Sequence, residues 1–117
     1  MTFEHPIEIG DPAGQSFEQV EALVGAGATL TVVPPGLLER LGVERVERRT
    51  FRLADGRAIE RDIGETMARV DGVTVRAAVI FGEEDEPVLL GAYTLERAFL
   101  AVDPHNERLI PTEGLLM

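Results

Sequence analysis

Short apolar runs, broken at close intervals by Gly, Pro, Asp and Asn, predict an all-β chain. Asp11-Pro12-Ala13-Gly14 separates a run from Glu4 to Ile9 from another from Phe17 to Val24, a first hairpin. Gly25 to Gly27 interrupts the pattern. The β-branched stretch Leu30 to Val33 then reads as a short buried strand. After Pro34-Pro35, the apolar positions Leu37, Leu38 and Leu41 face one way, and Gly42 follows, which predicts a short helix. Thr50–Leu53 and Ala58–Ile63 flank Ala54-Asp55-Gly56-Arg57, and Thr66–Val70 and Val73–Phe81 flank Asp71-Gly72. Asp-Gly between two such runs predicts a tight hairpin, because glycine accepts positive φ without strain.

An acidic loop, Glu83 to Pro87, leads into Val88-Leu89-Leu90-Gly91. Thr94 is the expected N-cap of a second short helix through Leu95, Ala98 and Phe99. Asp103-Pro104-His105-Asn106 turns the chain into a last strand near Arg108 to Ile110. The two predicted helices carry an echo, Leu38-Glu39-Arg40 and Leu95-Glu96-Arg97, each after an apolar strand and a glycine-bearing turn, which suggests two related halves.

The 117 residues suit a single domain spanning 1–117, and 44% hydrophobic with 27% charged residues suits a folded rather than a disordered chain. A net charge of −10, from 21 acidic and 11 basic residues, repels nucleic acid. The basic cluster Arg45, Arg48 and Arg49 is interleaved with Glu44 and Glu47 and reads as a solvated, self-compensating face. Without cysteine there are no disulfides and no thiolate metal sites, and His5 and His105 have no partner at ligand spacing, so neither metal nor cofactor is expected. No apolar run approaches the ~20 residues of a membrane span, and no basic segment leads into an apolar one at the start; the expectation is a cytoplasmic protein away from membranes.

The segment Leu23-Val24-Gly25-Ala26-Gly27-Ala28-Thr29, with the apolar run after it, resembles the active-site loop of the retropepsin-like aspartic proteases. That loop reads apolar-apolar-Asp-Thr/Ser-Gly-Ala-Thr/Ser. Here Gly25 stands at the Asp position and Ala26 at the Thr/Ser position, while Gly27, Ala28 and Thr29 match. The hairpin around Asp55-Gly56, the later Leu89-Leu90-Gly91 and the helix after it fall in the family's order. The phrases Leu37 to Val43, Phe51 to Arg57 and Val88 to Glu96 are similar to those of bacterial members.

The resemblance implies a closed retropepsin-like barrel with one or two short helices and a flap hairpin, working as a homodimer on peptide or protein substrates. It assigns Gly25, Ala26 and Gly27 to the catalytic loop. Ala28, Leu53, Ala54, Asp55 and Gly56 would be substrate-binding, and Thr29, Leu89, Leu90 and Gly91 would support the loop. The chemistry needs two carboxyls sharing a proton; one chain carries one loop, so the second comes from a twofold partner. Gly25 can neither activate water nor polarise a carbonyl, and the chain as written is expected to be inactive. Either an aspartic endopeptidase has lost its acid, or a natural pseudoprotease binds peptides or acts as a scaffold.

Overall fold

Alternation decides which side chains the strands bury. The computed structural model describes residues 1–114 and, among them, nine strands and two helices. Strands β1 (Phe3–Gly10) and β2 (Phe17–Val24) form the first hairpin, Phe3 opposite Val24 through Gly10 opposite Phe17. They send Ile7, Ile9, Ala22 and Val24 inward at a spacing of two, as a pleated strand must. Strand β3 (Thr31–Val33) and helix α1 (Pro35–Arg40) follow. Strand β4 (Glu47–Arg52) precedes the long β5 (Ala58–Val70), and β6 (Val73–Phe81) returns along it. Strand β7 (Val88–Leu89), helix α2 (Ala92–Arg97) and the hairpin β8 (Leu100–Asp103) and β9 (Arg108–Pro111) complete the chain.

The sheet runs β1-β2-β7-β3-β6-β5-β4, and β1 also pairs with β5 through Glu8–Arg69 and Ile9–Ala68. Six strands therefore close into a barrel, and β4 hangs from β5 outside the ring. Arg69 fastens the seam, its guanidinium 3.4 Å from Glu8 and 3.9 Å from the centre of the Phe17 ring. Two parallel pairings, β2 with β7 and β3 with β6, repeat the same arrangement in the two halves, each followed by a six-residue helix. The all-β barrel with short helices agrees with the sequence reading.

Strand β5 reads as two runs in the sequence but is one strand, broken in appearance by Gly64-Glu65. Its first half pairs with β4 and its second half closes the barrel. The Asp71-Gly72 turn carries positive φ at both residues, 50° and 81°, between paired Val70 and Val73, which is the hairpin geometry expected. Helix α1 buries Leu37 and Leu38 and half-buries Leu41, as its spacing predicts. The Arg45, Arg48 and Arg49 cluster is self-compensating through Glu39, Asp62 and Glu47.

Two expectations fail around α2. The helix starts at Ala92 with Gly91 as its cap residue, and no side chain caps it. Thr94 lies inside the helix, fully buried, because its hydroxyl is claimed by Thr31 rather than by the helix's own amides. The helix ends at Arg97, and Phe99, expected on its apolar face, is half exposed at a φ of 58°. The positive φ turns the chain into β8, whose Leu100 fills the core in its place.

Strand β3 and the last three residues of β6, Val79 to Phe81, are buried on both faces. Val33, Val79 and Phe81 belong to the barrel core, whereas Val32 and Ile80 point the other way and form a second apolar cluster with Ile63. Leu30, Phe51, Ala78 and Leu89 pack partly against that cluster. Continuous rather than alternating burial is what a central strand with cover on both sides requires. Among the described residues no helix is long and apolar enough to cross a membrane.

The core and the surface should respond differently to truncation. Ile9→Ala, at a position with no exposure, is expected to cost about 2–5 kcal/mol. Val46→Ala, 61% exposed, should stay within about 0.5 kcal/mol. Urea midpoints measure both; a tolerant Ile9 contradicts the barrel core described above.

Candidate functional site

The second apolar cluster is covered incompletely, and the gap is a cleft of about 240 Å³. One wall is the loop between β2 and β3, through Gly27, Ala28, Thr29 and Leu30. The facing wall is the β4–β5 hairpin, through Phe51, Arg52, Leu53, Ile59 and Arg61. Val32, Ile80 and Leu89 form the floor, and Glu86 closes one side. The lining is mostly apolar with a few charged groups, the usual make-up of a ligand site.

A crossing of two backbones fixes the loop. The N–H of Leu90 donates to the Leu23 carbonyl at 2.9 Å. Those of Ala92 and Tyr93 donate to the carbonyls of Ala28 (2.9 Å) and Thr29 (3.0 Å). Gly91 sits where the strands meet: a β-carbon there would lie 2.3 Å from the carbonyl carbon of Leu30. Only glycine permits that approach. The Gly91 N–H donates to Thr31 Oγ1 at 3.0 Å, and Thr31 Oγ1 lies 2.7 Å from Thr94 Oγ1. Both hydroxyls are buried and each satisfies the other, as buried polar groups must be.

The sequence-predicted residues thus divide into three groups. Gly27, Ala28, Thr29, Leu53 and Leu89 meet in the cleft. Leu90 and Gly91 lie beneath it in the crossing, and Thr29 joins them through its backbone carbonyl alone. Gly25, Ala26, Ala54, Asp55 and Gly56 are exposed and do not line the cleft. Sequence reasoning missed Phe51, Arg52, Ile59 and Arg61 in the hairpin wall, Leu30, Val32 and Ile80, and Glu86. A usable signal was the cross-strand pairing of Phe51 with Ile59, which follows from placing the turn at Asp55-Gly56.

Gly25 adopts a φ of 85°, and a β-carbon on it would stand 2.6 Å from the carbonyl oxygen of Met1. The loop is shaped for glycine at this position. The acid that does line the cleft, Glu86, is engaged: its carboxylate accepts the Glu83 N–H at 2.7 Å and lies 3.8 Å from Arg61. Arg61 also pairs with Glu83 at 3.3 Å. Arg52 donates to the carbonyl of Gly56 at 2.7 Å, which ties its guanidinium to the hairpin tip. At that tip the N–H of Arg57, then its guanidinium, bond the Asp55 carboxylate and hold it below the usual aspartate range. Residues 15–97 match the family model described as "gag-polyprotein putative aspartyl protease", well over half of the chain.

The chain belongs to this aspartyl protease family. The solution structure of the simian foamy virus (mac) protease is similar, with a TM-score of 0.53 at 24% identity, over 79% of this chain and 92% of that protein. The crystal structure of the retroviral protease-like domain of Ddi1 from Leishmania major gives a TM-score of 0.58 at 21% identity, over 95% and 88% of the two chains. Both likenesses speak to the fold, which is retropepsin-like. A comparison with curated proteins gave no match.

Three outcomes are expected from this geometry. Gly27→Ala, with open space around the new methyl, pays only for its left-handed φ, about 1–2 kcal/mol. Gly25→Ala pays that and must also displace Met1, so its urea midpoint should fall further; equal midpoints contradict the contact. Thr94→Val leaves the buried Thr31 hydroxyl with the Gly91 N–H alone and should cost about 1–3 kcal/mol, with Thr94→Ser much milder. The Asp55 bonds form to the ionised carboxylate, whose folded pKa is lowered; they are present above the ordinary aspartate range and are lost as pH falls through the lowered value. The Arg57 amide resonance should therefore hold its position down past about pH 4; a midpoint at or above the ordinary value contradicts the pairing.

Proposed function

We propose that this chain is a catalytically silent retropepsin-type domain that binds peptides in its cleft without hydrolysing them. The observation that carries the reading is the loop itself: through Gly27 to Leu30 it lines an apolar cleft, while Gly25 and Ala26, which the resemblance sets at the acid's position, stand outside that lining and offer no carboxyl. General acid–base hydrolysis of a peptide bond needs a carboxyl within reach of water and of the scissile carbonyl. Glu86 is no substitute, because an N–H and Arg61 already hold it.

What remains is a binding surface. The loop wall presents backbone and Leu30, the floor presents Val32, Ile80 and Leu89, and the hairpin presents Phe51 and Leu53. An extended peptide suits such a slot, backbone to backbone along the walls and one side chain in the apolar floor. In this reading the β4–β5 hairpin is the flap, with Ala54, Asp55 and Gly56 at its moving tip. Ala28 and Leu53 are contact residues, and Thr29, Leu89, Leu90 and Gly91 support the loop. Two copies pair about a twofold axis, bringing two loops to one cleft, so that each protomer supplies half of the peptide site.

Incubation with a random peptide library at about pH 4 to 7, the range a shared-proton dyad would use, tests this directly. Mass spectrometry should find peptides retained by the protein and none cleaved. The Gly25→Asp, Ala26→Thr double variant serves as reference: activity there alone shows that the acid was the missing part. Cleavage by the unchanged chain would overturn the proposal.

A further inference from the structure

We infer that the cleft captures the free C-terminal carboxylate of a peptide whose last side chain is apolar, an inference that rests on the peptide-binding reading above. Three features converge on it.

The first is charge. Of the charged residues lining the cleft, Arg61 is neutralised by Glu83 and Glu86. Arg52 has a backbone carbonyl, Gly56 O, as its partner, and among the described residues it makes no ion pair. A guanidinium offers five N–H donors in a fixed fork matched to a carboxylate, and one bond to Gly56 leaves most of them for a ligand. That same bond holds the group to the hairpin tip, so less order has to be imposed on binding.

The second is the opposite wall. The carbonyls of Ala28 and Thr29 are taken by the amides of Ala92 and Tyr93. Among the described residues no protein acceptor takes the N–H groups of Gly27, Ala28 or Thr29. The loop therefore has its Ala28 and Thr29 acceptors engaged and these three donors left for a ligand. With glycine and alanine at 25 and 26, no carboxylate stands on the loop to repel an incoming one.

The third is size and floor. About 240 Å³ is below the roughly 300–1,000 Å³ of sites that enclose a drug-sized ligand. Leu30, Val32, Phe51 and Leu89 line it, so it suits one apolar side chain with its carboxylate beside it. A C-terminal residue presents that pair of groups on adjacent atoms, and backbone donors are a recurrent way of holding it.

Three fluorescein-labelled hexapeptides of otherwise identical sequence, each ending in leucine, test the inference by anisotropy. One has a free C-terminal carboxylate, one a C-terminal amide, and one an amide with aspartate before the leucine. The free acid should bind at least tenfold more tightly than either amide. In Arg52→Gln, whose thermal midpoint should match the parent, that preference should shrink to less than twofold. Equal affinity for free acid and amide, or a preference untouched by Arg52→Gln, overturns the carboxylate assignment and leaves peptide binding standing. Aspartate–amide binding as tight as the free acid overturns the C-terminal assignment. Failure of all three to bind overturns this inference together with the reading beneath it.

Discussion

Everything at the cleft depends on two pieces of backbone passing in contact. Gly91 meets Leu30 and Thr31 so closely that no side chain fits between them. From that contact follow the bonds of Ala92 and Tyr93 to the loop carbonyls and the buried Thr31–Thr94 pair. A short loop on a surface is ordinarily the most mobile part of a domain. Here it is held at the carbonyls of Ala28 and Thr29, and beside it through the Thr31 side chain, by a helix that the same glycine starts. The constraint is local in space and long in sequence, since it joins segments from the two halves of the chain.

The barrel supplies the rest as a consequence of its topology. Closing six strands buries β3 and β6 centrally, and their short apolar sequences leave Val32 and Ile80 on the outer face. That second apolar surface needs cover, and the β4–β5 hairpin, outside the closed ring, provides it only in part. The cleft is the uncovered remainder. A fold that makes such a slot by construction keeps it whether or not a carboxyl stands in the loop. The match of the family model alongside an acid-free loop is therefore physically consistent.

Much of this was legible along the chain. Turn chemistry marks the hairpins, because Asp-Gly and Asp-Pro pairs favour the backbone angles turns require. The glycines and small residues of Gly25 to Thr29 mark a loop that approaches other backbone, and Leu89-Leu90-Gly91 marks its counterpart. What was not legible depended on tertiary partners. Thr94 reads as a helix cap because threonine often is one; a buried hydroxyl across the crossing takes it instead. Phe99 reads as core because it is apolar and suitably spaced, but the left-handed turn after α2 sends it outward and Leu100 inward. Arg61 and Glu86 meet only because β5 and the acidic loop flank the same cleft. No periodicity within either segment could announce that.

At position 25 the backbone sits in a region that favours glycine, with the Met1 carbonyl where a β-carbon would be. Local geometry and residue type agree there, the consistency expected of a sequence that specifies its own structure. The central claim is that the slot between the Gly27–Leu30 loop and the hairpin is a working peptide site in the absence of catalysis. The most direct measurement is an amide chemical-shift titration of the labelled protein with a leucine-ended peptide, followed until well past mixing. Shifts concentrated at Gly27–Leu30 and Phe51–Leu53, in a spectrum that then stays constant because the peptide is intact, are the predicted result. Shifts confined to other surfaces, or a spectrum that drifts as peptide fragments accumulate, would contradict the account.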